Sequence, residues 1–112
     1  MVKKATGQVL IVFIISASRR EATRLARLLI RNKVAACVNI MPAVRSVFRW
    51  KGKTHLAHET LLITKTTEQR YDELEELVRS NHSYEVPEIV AMKVDRGLGQ
   101  YLEWVREETS TY

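Results

Sequence analysis

Between positions 82 and 88 the chain reads His82-Ser83-Tyr84-Glu85-Val86-Pro87-Glu88, gathering an imidazole, a phenol and two carboxylates around one proline. Imidazole nitrogen and carboxylate oxygen suit a divalent ion such as Cu(II) or zinc, so His82 and Glu88 are candidate metal ligands. Tyr84 and Glu85 are candidates for lining the same cleft. The competing reading is structural: Tyr84 packs and its hydroxyl finds a partner, while His82 caps the preceding helix. Metal sites usually need three or four ligands, and this segment carries one histidine, so further groups must come from elsewhere in the fold or from another subunit. Glu59 is a candidate ligand, and Lys65 is a candidate anion contact because its amine is ordinarily protonated.

Cys37 is a soft donor suited to copper, but a cysteine after two alanines at a strand start also suits buried packing. No histidine follows it at a spacing that suggests a nucleophile. As the single cysteine of the chain it excludes an intramolecular disulfide and fits a reducing compartment such as the cytoplasm. His55 and His58 stand three apart; on a strand they face opposite sides and cannot chelate one ion without a bulge. Trp104, with Tyr101, Leu102 and Val105, reads as a packing residue or as a platform for a stacked ligand.

The elements that position these groups follow from periodicity. Val9 to Ile15 is continuously apolar, which predicts a strand covered on both faces or at a sheet centre. Ser18 and Glu21 form a capping-box pattern. Ala22, Leu25, Ala26 and Leu29 then mark the inner face of a helix ending near Asn32. Arg20, Arg24, Arg27 and Arg31 mark its opposite face; without interleaved aromatics this stripe reads as a solvated surface rather than a nucleic-acid site. Ala35 to Trp50 and the segment up to Thr66 predict two long arms of a hairpin turning near Gly52, with Pro42 at a bulge or edge. A helix is predicted over Glu68–Ser80, a strand over Ile89–Val94, and a last helix carrying Leu98, Tyr101, Leu102 and Val105. Proline fixes its own φ and extends the residue before it, so the 82–88 connection is stiff.

The order β-α-β-β-α-β plus a tail helix predicts an α+β, ferredoxin-like sandwich in one domain spanning residues 1–112. Both helices then cover one sheet face. The other face and the projecting hairpin, with Phe48 and Trp50, call for a second copy. No stretch approaches the ~20 apolar residues of a membrane span, and the basic start at Lys3 and Lys4 followed by an apolar run reads as a core strand rather than a signal peptide. Net charge is +5 but uneven: residues 1–53 carry +11 and residues 54–112 carry −6. The split points to charge compensation within or between chains as much as to a polyanionic partner.

Five blocks now stand in order: Ala35-Ala36-Cys37-Val38-Asn39-Ile40, Trp50-Lys51-Gly52-Lys53, Glu59 to Lys65-Thr66, His82 to Glu88, and Tyr101-Leu102-x-Trp104. Together they resemble the CutA (divalent cation tolerance) family from about residue 8 to residue 107. The resemblance implies a cytoplasmic homotrimer whose long hairpins reach across subunits, and a role in tolerance of copper and other divalent metals without a firmly established catalytic activity. Its partners would be copies of itself and divalent metal ions, with no specific nucleic acid. Two departures matter. The family usually has proline where Ser83 stands, so the start of the connection is expected to be looser here. Some members carry a cysteine near the end of the first strand, where this chain has Ile14, Ile15 and Ser16. The alternatives are a ligand-sensing signalling trimer similar to PII proteins, and a trimeric scaffold with no small-molecule ligand.

Overall fold

The computed structural model describes residues 7–111; the basic start at Lys3 and Lys4 lies outside them. Strand β1 (Val9–Ser16) leads to helix α1 (Arg19–Arg31), then to strands β2 (Cys37–Trp50) and β3 (Lys53–Thr67). Helix α2 (Glu68–Asn81), strand β4 (Ile89–Lys93) and helix α3 (Gly99–Glu108) follow. The strands form one antiparallel sheet ordered β2-β3-β1-β4, the ferredoxin-like arrangement predicted above.

The pleat sorts β1 into two faces. Leu10, Val12 and Ile14 are buried with Leu62 under α1 and α2, which contribute Ala22, Leu25, Leu29, Leu74 and Val78. Ile11, Phe13 and Ile15 point the other way and are only half-buried. Phe13 stands between Ile63 and Val90, and Ile11 between Lys65 and Met92. Val90 and Met92 are about half exposed. The expectation that β1 is covered on both faces therefore holds on one face only, although β1 does lie centrally between β3 and β4. Its unbroken apolar run prepares the second face for cover that one chain supplies only in part. Helix α3 contributes Val105, which is buried, but leaves Tyr101 and Trp104 substantially exposed.

Helices α1 and α2 run antiparallel and cap each other. Arg24 of α1 donates to the Asn81 carbonyl at 2.9 Å, and Arg70 of α2 donates to the Asn32 carbonyl at 3.1 Å. Each guanidinium meets the carbonyl end of the neighbouring helix, where a cation is favoured. Arg24 is thus more than a member of the solvated stripe.

The hairpin turns at Lys51 (φ 51) and Gly52 (φ 78), two successive positive-φ residues of the kind that match strand twist. The ladder shifts register between Met41 and Val44, around Pro42 and Ala43, so proline's missing N–H falls at the predicted bulge. Pairing of β3 with β1 stops at Thr60↔Ser16, and Lys53–Glu59 pairs with β2 alone. This free arm is about 20 Å long at ~3.3 Å per residue. It accounts for the elongated 58 × 26 × 22 Å envelope.

Leu62 is fully buried at the centre of the core. Leu62→Ala is expected to lower unfolding free energy by about 2–5 kcal/mol, seen as a fall in the denaturant midpoint.

Candidate functional site

The 82–88 connection lies where three chain segments end together: the last residues of β1, the start of α1 and the end of α2. Ser18 caps α1 by accepting the Glu21 N–H at 3.1 Å, and the Glu21 carboxylate reaches back to accept the Ala17 N–H at 3.1 Å. Ser18 caps as the sequence pattern predicts, while Glu21 reaches one residue past the N-cap, to Ala17. The second carboxylate oxygen does something the sequence pattern does not suggest: it accepts the Ser83 N–H at 3.0 Å, across 62 residues of chain. A proline at position 83 would have no N–H for that bond. Where the family's ring is absent, the chain has a backbone tie to Glu21 that a proline could not make.

His82 is held by the same junction. Its side chain is fully buried and lies 3.8 Å from Glu21. Nδ1 accepts the Tyr84 N–H at 3.0 Å, which assigns the ring proton to Nε2, and Nε2 donates to the Ile15 carbonyl at 2.7 Å. Both nitrogens are occupied and no lone pair faces solvent. The His82 ring thus bridges β1 and the connection, rather than capping the preceding helix as the structural reading had it.

That bridge aims Tyr84. Its hydroxyl donates to Glu59 at 2.6 Å, at the point where the hairpin leaves the sheet. Burial, followed by the hydrogen bond to Glu59 and the nearby Glu59 and Glu21 charges, pushes the phenol up to about 12. Tyr84 is accordingly a neutral donor across the physiological range, and Glu59 is its acceptor. Burial works to raise the Glu21 carboxyl as well. Hydrogen bonds from Ser83 and Ala17 outweigh it, aided by His82 when that ring is protonated, and hold Glu21 below the usual carboxylate range.

Beneath Tyr84 opens a cleft of about 840 Å³, between the hairpin and the connection, lined by Glu59, Tyr84, Glu85 and Glu88 with Phe48 and Trp50. The other expected cleft residues are elsewhere. Lys65 pairs with Cys37 at the far end of the sheet, six positions along β3 from Glu59 or about 20 Å. There Lys65 donates to Asn39, and the Cys37 thiol lies 4.0 Å from the same Asn39 oxygen; burial, with Cys37 nearby, pushes the Tyr101 phenol up. Trp104 stacks at a tilt on Tyr101, with 5.6 Å between ring centroids. The eight candidate residues therefore form two groups at opposite ends of one sheet face. One chain does not unite Cys37 or Lys65 with Glu59 and Glu88.

The metal ion expected from the sequence does not fit one chain. Among the described residues, no three His, Cys, Asp or Glu side chains come together in a way that could hold it. The imidazole is engaged, the phenol is protonated, and only separated carboxylates face the cleft. Glu21 and Ser83 are the residues sequence reasoning missed as organisers of the site. The capping-box spacing flagged Glu21, but only the fold shows where its second oxygen goes.

Two pH effects follow. Tyr84 and Tyr71 both have folded values of about 12 against an ordinary 10.0, Tyr71 through burial and its bond to Glu75. Folding favours the protonated phenols, so their contribution is intact below pH 10 and disappears as pH rises toward 12. Phenolate absorbance should show Tyr71 and Tyr84 titrating late, with Tyr101 also raised by its burial, and Tyr84→Phe should remove one late-titrating group. Glu21 has the opposite sign: its contribution is present above its ordinary value of 4.5 and is lost as pH falls through its lower folded value. Glu21→Gln should flatten the acid limb of stability against pH, followed by thermal melts.

Comparison with known proteins agrees with this architecture. The family model described as CutA1 divalent ion tolerance protein matches residues 10–108. The chain is 42% identical over 100 residues to the chloroplastic protein CutA 1 of Oryza sativa subsp. japonica, covering 89% of this chain and 56% of that protein. It is 41% identical over 99 residues to the divalent-cation tolerance protein CutA of Thermus thermophilus, covering 88% of this chain and 96% of that one. It therefore spans little more than half the length of its plant relatives but nearly all of the bacterial protein. The crystal structure of CutA1 from Oryza sativa superposes with a TM-score of 0.91 at 40% identity, covering 96% of this chain and 98% of that one. The chain belongs to the CutA1 divalent ion tolerance family.

Proposed function

We propose that this protein is a homotrimeric divalent-cation-binding protein of the metal-tolerance response, acting by binding rather than by catalysis. The observation that carries this reading is Glu59. Its carboxylate is only 8% exposed, one oxygen is taken by Tyr84, and no cation of the chain lies within ion-pairing distance among the described residues. A buried carboxylate without a counter-charge favours a cation in its cleft. Glu85 and Glu88 add negative charge on the facing wall.

Trimerisation is supported by the open second face of the sheet and the free hairpin arm. Burying exposed Met41, Val90 and Met92 against other copies would gain stability at about 25 cal/mol per Å². A trimer would also let the Cys37, Lys65 and Trp104 end of one subunit meet the Glu59 and Glu88 end of another, giving Cu(II) or another divalent ion the ligands that one chain lacks. The single cysteine suits the cytoplasm, while relatives carry names that place them elsewhere, chloroplastic in Arabidopsis thaliana and periplasmic in Archaeoglobus fulgidus.

Sedimentation equilibrium should give three times the 13.0 kDa chain mass. In calorimetric titration with Cu(II), the double variant Glu59→Gln/Glu88→Gln should bind about tenfold or more weakly. His82→Ala should lose fold stability yet keep its affinity per folded chain. Loss of Cu(II) affinity confined to His82→Ala would return the imidazole to the ligand set.

A further inference from the structure

We propose that the outer face of the α1–α2 layer is a docking surface for a second copy of this chain, the basic α1 of each copy lying on the acidic α2 of the other. This surface covers the side of the sheet opposite the open apolar face, so it is separate from the trimer contacts and from the cleft.

The two helices carry opposite charge side by side. Helix α1 holds Arg19, Arg20, Arg24, Arg27 and Arg31 against Glu21 alone, and Glu21 is buried at its junction with Ser83. Arg20, Arg24, Arg27 and Arg31 recur at helical spacing and form one outward row about 16 Å long at ~1.5 Å per residue. Helix α2 holds five acids against Arg70 and Arg79. Glu68, Asp72 and Glu76 stand four residues apart and form its exposed row.

Within one chain the rows do not neutralise each other. Arg20, Arg27 and Arg31 are exposed and take part in no ion pair among the described residues, and the same is true of Glu68 and Asp72. Glu76 meets only Arg79, at 3.9 Å and well exposed. Arg24 is turned aside to the Asn81 carbonyl. Among the described residues, no ion pair joins α1 to α2.

A polyanion laid on α1 is opposed by the acidic row beside it. The complementary partner instead carries one basic and one acidic row in the reverse order. A second copy of the layer offers that order when it is turned about a two-fold axis running parallel to the helices, because α1 then lies over α2 twice. A two-fold axis across the helices would stack α1 on α1, which like charge disfavours. The Arg24–Asn81 and Arg70–Asn32 bonds set the level of one helix against the other, with Arg27 beside Glu76 and Arg31 beside Asp72. The parallel axis preserves these levels, so each copy places Arg27 over the other's Glu76 and Arg31 over its Asp72. Exposed ion pairs are individually weak and screened by salt, so the contact is reversible and depends on the row acting together.

The test is sedimentation velocity of the nuclease-treated full chain over a concentration series, at about 20 mM and about 500 mM salt. At low salt, a species of at least twice the mass of the high-salt assembly should grow with concentration, whether or not that assembly is the trimer. Arg27→Glu/Arg31→Glu should weaken this association about tenfold or more. The change lowers the net charge from +5 to +1, so general repulsion alone would have the opposite effect. Asp72→Lys/Glu76→Lys should weaken it equally. Combining all four changes in one chain returns the net charge to +5 and should restore the larger species, as should mixing the two double variants. Thermal melts report whether each variant is folded. Three results would overturn the proposal: no larger species at low salt, its persistence in both double variants, or no recovery in either the combined variant or the mixture. A larger species present only before nuclease treatment would give the basic row to a nucleic acid and overturn it as well.

Discussion

The two oxygens of one carboxylate organise the functional end of this molecule. Glu21 closes the first turn of α1 with one oxygen and holds the backbone of the 82–88 connection with the other. The two segments are far apart in sequence, so this contact fixes where α2 ends relative to where α1 begins. A buried carboxylate is costly unless its acceptors are filled, and here the two N–H donors stabilise the charged form. His82 completes the junction by bridging the Ile15 carbonyl and the Tyr84 N–H. Once these bonds are made, Tyr84 has little freedom, and its hydroxyl meets Glu59 at the root of the hairpin.

This makes the division of labour among the polar residues unequal. Glu21, His82 and Ser83 are spent on holding backbone. Tyr84 holds a side chain. Glu59, Glu85 and Glu88 are the groups left to face the cleft. The residue that looks most like a metal ligand in the sequence, the histidine, is the one whose donor atoms are already used.

The sheet imposes a second constraint. A ferredoxin-like sandwich covers one face with two helices, and this chain leaves much of the other face apolar and open between α3 and the hairpin. The basic first half and the acidic second half are also left largely unreconciled: the arginine ion pairs among the described residues join neighbours in sequence, such as Arg70 with Glu73 and Arg106 with Glu103. Both features favour contact between copies, apolar face on apolar face and basic segment on acidic segment.

The local facts were legible in the sequence because they depend on spacing. The Ser18–Glu21 cap, the buried stripe Ala22-Leu25-Ala26-Leu29, the turn at Gly52 and the bulge at Pro42 all arise from periods or backbone restrictions that act within a few residues. The long arms and the element order were enough to specify the sandwich. What the tertiary structure alone decided was which polar atoms meet. Spacing placed His82 beside Glu88, but the fold turned its ring inward to the Ile15 carbonyl. Spacing put Lys65 and Glu59 on one face of β3, but the ~3.3 Å rise per residue set them at opposite ends. The sequence marks Ser83 as a lost ring, and only the fold shows its N–H bonded to Glu21 at 3.0 Å. Local order follows from the backbone's few allowed conformations; a site depends on long-range contacts, whose partners only the packed core selects.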